Sequence, residues 1–394
     1  MSSARYAPST ALPMAQQAAY RAPAPIAVSN GPAGTFSPGT KVQVGNHRVI
    51  IEKYLSEGGF AHVYLVRVPK SEERLPEIAV LKRVACPDKD GLANMRTEVE
   101  TMKKLKGHSK IVTYMDSHAS QLKGGGYEVF LLMEYCSGGG LIDFMNTRLQ
   151  HRLTEPEILN IFSDVAEGVA TMHYLKPPLL HRDLKVENVL ITTVSNNKIY
   201  KLCDFGSTAP PRPAATTAAE GRLIEEDVQK HTTMQYRSPE MIDVYRKQPI
   251  DEKSDIWALG VLLYKLCYYT TPFEEVGQMA ILNATFKYPS YPAFSDRLKK
   301  LIGKLFCVTT WQRLTVQREH VARAPAAATK YLSSGCGSVL DEASSNPDQR
   351  RTWSQIFELC LANRQRYTLV ERSRRRGETN SYHQLSLKSL RRQS

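Results

Sequence analysis

Residues 181–188 read HRDLKVEN, a run holding an acid, a base and an amide at fixed offsets. It follows a largely apolar stretch, Tyr174 to Leu180, and precedes another, Val189 to Thr192. Such a charged run is poor core material, so its placement between two buried segments asks what it holds. Asp183 is able to accept a proton from an attacking hydroxyl, and Lys185 to neutralise charge on a transferring phosphoryl group. Asn188 is able to ligate a metal ion, and sixteen residues past it the DFG triplet offers Asp204 as a second ligand. Upstream, Lys82 ends the apolar stretch AVLK. A lysine there is most simply an exposed edge residue. It gains a chemical role if a carboxylate waits nearby and a phosphate must be gripped. Glu98 supplies that carboxylate, whereas Glu100 projects about 200° away around the helix. Gly58 and Gly59 in LSEGGFAHVYLV suit a turn whose amides face anions, although a Gly-Gly turn is more often only a hairpin.

The elements that must position these groups follow from hydrophobic spacing. HRVIIEKYLSEGGFAHVYLVRV and EIAVLKRVAC predict short strands, broken at Gly58-Gly59. MRTEVETMKKL places Met95, Val99, Met102 and Leu105 on one helical face. YEVFLLMEYCSGGG predicts a strand that ends in a corner. From Thr154 the pattern turns helical. Thr154 and Glu157 form a capping box, and Ile158, Ile161, Phe162, Val165, Val169 and Met172 make an apolar stripe. SDIWALGVLLYKLCYY (254–269) is apolar almost all round, which predicts a buried helix with Asp255 near its start. Strands first and helices later predict two lobes.

Composition narrows the function class. The 394 residues are 42% hydrophobic, enough for a sizeable core. No stretch is long and apolar enough to span a bilayer, and no secretory leader is expected. Seven cysteines without paired spacing suggest reduced thiols in a cytosolic protein. The net charge of +13 is concentrated late in the chain, notably in RSRRRG (372–377). That reads first as a solvated tail and second as a weak contact with acidic membrane lipid; no nucleic-acid motif accompanies it.

Together these pieces, in this order, resemble the eukaryotic protein kinase family from about Val49 to about Phe306. SPE (238–240) stands where that family has its APE triplet. The resemblance implies an α+β bilobal fold, with a small, mostly antiparallel β N-lobe bearing one helix and a larger helical C-lobe. It implies ATP and Mg2+ as cofactors and assigns the catalytic set to Asp183, Lys185, Lys82 and Glu98. Metal ligation falls to Asn188 and Asp204. Nucleotide contacts fall to Leu55, Ser56, Gly58, Gly59, Val63, Lys82, Met133, Glu134 and Cys136, with Met133 as gatekeeper. Phe205, Gly206, Glu240 and Asp255 take structural roles, and Met102, His181 and Phe205 form an apolar spine. Lys185 together with Thr233, which helps seat the substrate, favours serine/threonine specificity.

Further stretches, among them GHSKIVTYMDS, LLMEYCSGGGLIDFMN and EEDVQKHTTMQYRSPEMIDVY, are similar to the Numb-associated kinases. That group includes the adaptor-associated, cyclin-G-associated and fungal actin-regulating kinases. The similarity implies phosphorylation of clathrin-adaptor or endocytic coat proteins, in the cytoplasm or at cortical actin patches. A pseudokinase or scaffold is the alternative, favoured only by a disturbed C-terminus.

The expected organisation is a disordered Ala/Pro/Ser-rich head over 1–45 and a kinase domain over 46–306, its lobes meeting near 135–136. Residues 307–345 match nothing expected of the family. At 346–359, NPDQRRTWSQIFEL carries Asn346, Pro347, Arg350, Gln355 and Ile356 at the offsets of the last kinase subdomain, though Arg351 replaces the usual Pro. Two readings stand: a 39-residue insertion in the last subdomain, or an altered reading frame with an accidental match. A basic, disordered tail is expected over 360–394.

Overall fold

The computed structural model describes residues 34–58, 61–69, 76–274 and 276–307, together with Ile356. Six antiparallel strands form the N-terminal sheet: β1 (Lys41–Val44), β2 (His47–Gly58), β3 (Ala61–Arg67), β4 (Ile78–Cys86), β5 (Tyr114–Gln121) and β6 (Tyr127–Glu134). Their spatial order is β1-β2-β3-β4-β6-β5. One helix, α1 (Lys89–Lys104), packs on this sheet, with Asp88 capping it through the Gly91 amide. Met95, Val99, Met102 and Leu105 are all buried on the expected face.

The head ends earlier than expected. Residues 41–44, assigned to the disordered head, form β1, with Val42 and Val44 buried and Lys41 and Gln43 exposed. The β1–β2 hairpin pairs Val44 with His47, so Gly45 and Asn46 make the turn. Gly45 sits at φ +54, and a Cβ there would lie 2.4 Å from the Asp116 carboxylate, which receives the Asn46 amide at 2.9 Å. Phe36, also in the expected head, packs against Tyr64 at 5.6 Å between centroids and lies under the Arg83 guanidinium at 4.4 Å. Residues 1–33 lie outside the described residues.

Beyond β6 the described residues include seven helices: α2 (Leu141–Asn146), α3 (Glu155–His173), α4 (Ala218–His231), α5 (Pro239–Ile242), α6 (Glu252–Tyr268), α7 (Gln278–Leu282) and α8 (Asp296–Leu305). A two-stranded sheet, β7 (Val189–Val194) with β8 (Asn197–Leu202), interrupts them. The Thr154–Glu157 capping box opens α3. Helix α6 is buried on nearly every side, as its all-round apolar sequence requires. Trp257 in α6 stacks on Phe273 and meets Phe306 edge-on. Among the described residues, no helix is long and apolar enough to cross a membrane.

The chain leaves the described core at Cys307 and is next seen at Ile356, which is helical, has no exposed surface and belongs to the main apolar core. The rest of 346–359, including Asn346, Pro347, Arg350, Arg351 and Gln355, lies outside the described residues, as do 308–345 and 360–394.

Candidate active site

Strand β4 carries Lys82 to the inner face of the sheet, where its ammonium donates to both Glu98 oxygens at 2.8 and 2.9 Å. Glu98 is almost wholly buried on α1, whereas Glu100 is exposed and pairs with Lys103 at 3.1 Å. Burial works against the Lys82 charge, but the Glu98 carboxylate outweighs it and holds the ammonium above its usual range. Such a pair keeps a cation fixed at the back of a cleft.

The catalytic-loop candidates are organised by one buried carboxylate. Asp255, fully buried in the first turn of α6, accepts the amides of His181 and Arg182 at 2.8 and 2.9 Å and His173 Nε2 at 2.8 Å. These bonds hold Arg182 at φ +68, a left-handed conformation unusual for a side chain of this size. Asp183 follows directly, its side chain only 13% exposed. Its carboxylate accepts Thr233 Oγ1 at 2.6 Å, Lys185 Nζ at 2.7 Å and Asn188 Nδ2 at 3.1 Å. Lys185 also reaches Thr233 Oγ1 at 3.1 Å. Burial pushes the Asp183 carboxyl upward, but the Lys185 and Thr233 hydrogen bonds prevail and hold it below the usual carboxylate range.

Asp204 follows β8 with φ +62. Phe205 behind it is fully buried and packs 5.5 Å from His181, between centroids, with Met102 buried in the same core. At Gly206 an added Cβ would make only ordinary contact, 3.6 Å from Asp204, so this conformation does not itself require glycine there. Thr101 on α1 and Thr208 just after this triplet share a buried hydrogen bond of 2.8 Å.

Between the two halves lies a cavity of about 750 Å³. Leu55, Ser56, Gly58 and Val63 line it from β2 and β3, Lys82 and Glu98 from the back, and Met133, Glu134 and Cys136 along one edge. Asn188 and Asp204 line the opposite side. Gly59 lies outside the described residues. The cavity also includes Val80, Leu190 and Cys203, which the sequence reading passed over. Their signal was present: Val80 is two residues before Lys82 on a strand, and Leu190 two residues after Asn188. Burial raises the Cys136 thiol to about 12, so it is a weak nucleophile.

The donor set suits a hard cation. Asn188 Nδ2 already binds the Asp183 carbonyl at 2.9 Å, which leaves its carbonyl oxygen for a metal beside the Asp204 carboxylate. No cluster of three or more His, Cys, Asp or Glu side chains suited to metal occurs among the described residues. Magnesium fits such a site because it keeps few protein ligands and completes its shell with substrate phosphates and water.

Helix α4 was not foreseen. Thr217 caps it and Glu220 closes the capping box. Its Asp227 accepts Arg182 Nη1 at 2.6 Å and also meets Arg212 and His231 at 3.5 and 2.9 Å.

A family model described as a protein kinase domain matches residues 50–324, well over half of the chain. The chain belongs to the protein kinase family. Within it, the chain falls in the Numb-associated group, as its similarity to actin-regulating kinases shows. It is 57% identical over 287 residues to the serine/threonine-protein kinase ppk30 of Schizosaccharomyces pombe, covering 72% of this chain and 29% of that protein. It is 56% identical over 276 residues to actin-regulating kinase 1 of Saccharomyces cerevisiae, covering 68% of this chain and 42% of that protein. With actin-regulating kinase PRK1 of the same yeast the identity is 53% over 284 residues, 71% of this chain and 34% of that protein. The match therefore spans less than half the length of each of these relatives.

Proposed function

We propose that this chain transfers the γ-phosphoryl group of ATP to serine or threonine hydroxyls of protein substrates. The observation that carries this reading is the meeting of Thr233, Lys185 and Asn188 on the Asp183 carboxylate, across a cavity from the Lys82–Glu98 pair. Asp183 accepts the hydroxyl proton, Lys185 offsets charge on the moving phosphoryl group, and Thr233 seats the acceptor beside both. Lys82 grips the nucleotide phosphates. Asn188 and Asp204 hold magnesium, which when bound neutralises charge on the phosphate oxygens. Leu55, Ser56, Gly58, Gly59 and Val63 cover the nucleotide, and the backbone of residues 134–136 meets the adenine edge.

The arrangement is that of two lobes, an antiparallel sheet with α1 and a helical body, closing over the nucleotide. We further propose, from the names of the actin-regulating relatives, that the substrates are endocytic or actin-patch proteins and that the chain works in the cytoplasm near the cortex. Residues 346–359 complete the helical lobe as its last subdomain, a reading supported by the buried, helical Ile356. The completeness of the catalytic set speaks against a pseudokinase. The test is transfer of labelled phosphate from magnesium-ATP to endocytic adaptor peptides bearing threonine. Wild-type protein that binds ATP yet labels no hydroxyl substrate overturns the reading.

A further inference from the structure

Glu134 closes β6 at the edge of the cavity, and its surroundings are more elaborate than a strand end needs. Both its carboxylate oxygens accept Lys201 Nζ, at 2.7 and 2.8 Å. Oε2 also accepts the Thr113 amide at 3.1 Å, while the Glu134 amide donates to the Thr113 carbonyl at 2.9 Å. On its other side Glu134 pairs with Ala79 of β4. The Lys201 side chain is only 9% exposed.

Lys201 itself stands outside the cavity, on β8, three residues before Asp204. The next residue, Leu202, exchanges two backbone bonds with the segment before Thr113: its amide donates to Lys110 at 2.9 Å, and its carbonyl accepts Val112 at 3.0 Å. The Cys203 amide then donates to the Asn188 carbonyl at 3.1 Å. These bonds form a closed circuit through residues 134, 113, 201, 202 and 110–112. The circuit fixes where the chain after Glu134 begins.

A largely buried ion pair is a weak source of stability, because desolvation offsets most of the attraction. Its place beside the proposed adenine edge gives it a different use. Resting on the reading that a nucleotide fills the cavity, we propose that Lys201 is a positioning residue. By gripping Glu134 it sets the register in which the backbone of residues 134–136 presents its donors and acceptors to the adenine ring. It touches neither nucleotide nor metal.

The test uses the full chain with Lys201→Met, read by calorimetric titration with adenosine and with magnesium-ATP, by steady-state kinetics and by melting temperature. Adenosine carries no phosphate, so it reports on the adenine edge and not on Asp204. The expected result is adenosine affinity weakened about tenfold, the scale of one charge-assisted hydrogen bond, with KM for ATP raised alike and kcat little changed. Lys201→Arg restores most of the affinity. A paired variant, Glu134→Met with Lys201→Met, removes both buried charges and so regains stability, while adenosine binding stays weak. A lowered melting temperature with wild-type adenosine affinity and KM overturns the proposal. Loss confined to magnesium-ATP overturns it too, since the residue would then act through Asp204. So does a paired variant that binds adenosine as the wild type does. Because the adenosine titration needs no turnover, it decides this inference even if the wild-type protein proves inactive as a kinase.

Discussion

The guanidinium of Arg182, next to the proposed base, closes on the carboxylate of Asp227, with Nη1 and Oδ2 2.6 Å apart. Arg182 also donates through Nε to the Ser207 carbonyl at 2.6 Å, so one side chain joins the catalytic loop, the segment after Asp204 and α4. In many kinases such an arginine is answered by a phosphate added to the activation segment. Here a carboxylate of the segment itself answers it. Treatment with phosphatase is therefore expected to leave the activity largely intact. Asp227→Ala should lower kcat/KM on the order of tenfold, equivalent to about 1.4 kcal/mol of lost positioning. Phosphatase that silences the wild type would refute the assignment.

Asp183→Asn should lower kcat about 10²- to 10⁴-fold, the usual contribution of a positioned base. Asp183 meets Lys185, Thr233 and Asn188 but does not line the cavity. Nucleotide should thus still raise the melting temperature of the variant. Turnover within a few-fold of wild type would exclude Asp183 as the base.

The pH dependence follows from the same carboxylate. Burial alone would raise the Asp183 pKa, but its partners depress it in the folded protein. A group with a depressed folded pKa adds stability above its unfolded value of about 3.9, and that stability is lost as pH falls through the lower folded value. The proposed base accordingly stays ionised throughout the neutral range. The pH profile of kcat/KM should show no acid limb from Asp183 above about pH 4. A limb near neutrality that vanishes in a variant of Asp183 would contradict this.

Glu240 is fully buried, and the proposed last subdomain offers Arg350 to it. If 346–359 completes the lobe, Arg350→Ala should cost about 3–5 kcal/mol, because the surviving charge stays buried without its partner. Arg351→Ala should be nearly silent in the same thermal melt. Ile356→Ala should cost about 2–5 kcal/mol through the cavity it leaves. Two silent arginine variants would favour an altered reading frame. Loop closure rises only slowly with length, so an excursion between Cys307 and Ile356 is compatible with the pairing.

The meeting of Lys185 and Asn188 on Asp183 was legible because charged residues at fixed offsets between apolar runs have few structural uses. Lys82 and Glu98 were legible because helical geometry separates Glu98 from Glu100. Helix α4 was not. Only Gly221, Ile224 and Val228 of its fourteen residues are buried, so its apolar stripe is narrow. Its Thr217–Glu220 capping box was the missed signal. Strand β1 was hidden differently: Val42 and Val44 alternate correctly, but four residues are too few to stand out after an Ala- and Pro-rich head. The Lys201–Glu134 pair joins residues 67 positions apart, and local spacing carries no trace of it.

Asp255 has a mechanical consequence. Because its carboxylate takes the amides of both His181 and Arg182, the proposed base is mounted on α6, which is buried on nearly every side. Lys82 and Glu98 are mounted on the sheet and α1 instead. If the sheet hinges on the helical body, the proposed phosphate grip sweeps across a stationary proposed base, as a jaw closes on a fixed anvil. A bulky nucleotide analogue that wedges the cleft apart will lengthen the span from Lys82 to Asp183. The distances among Asp183, Lys185 and Thr233 will stay as they are.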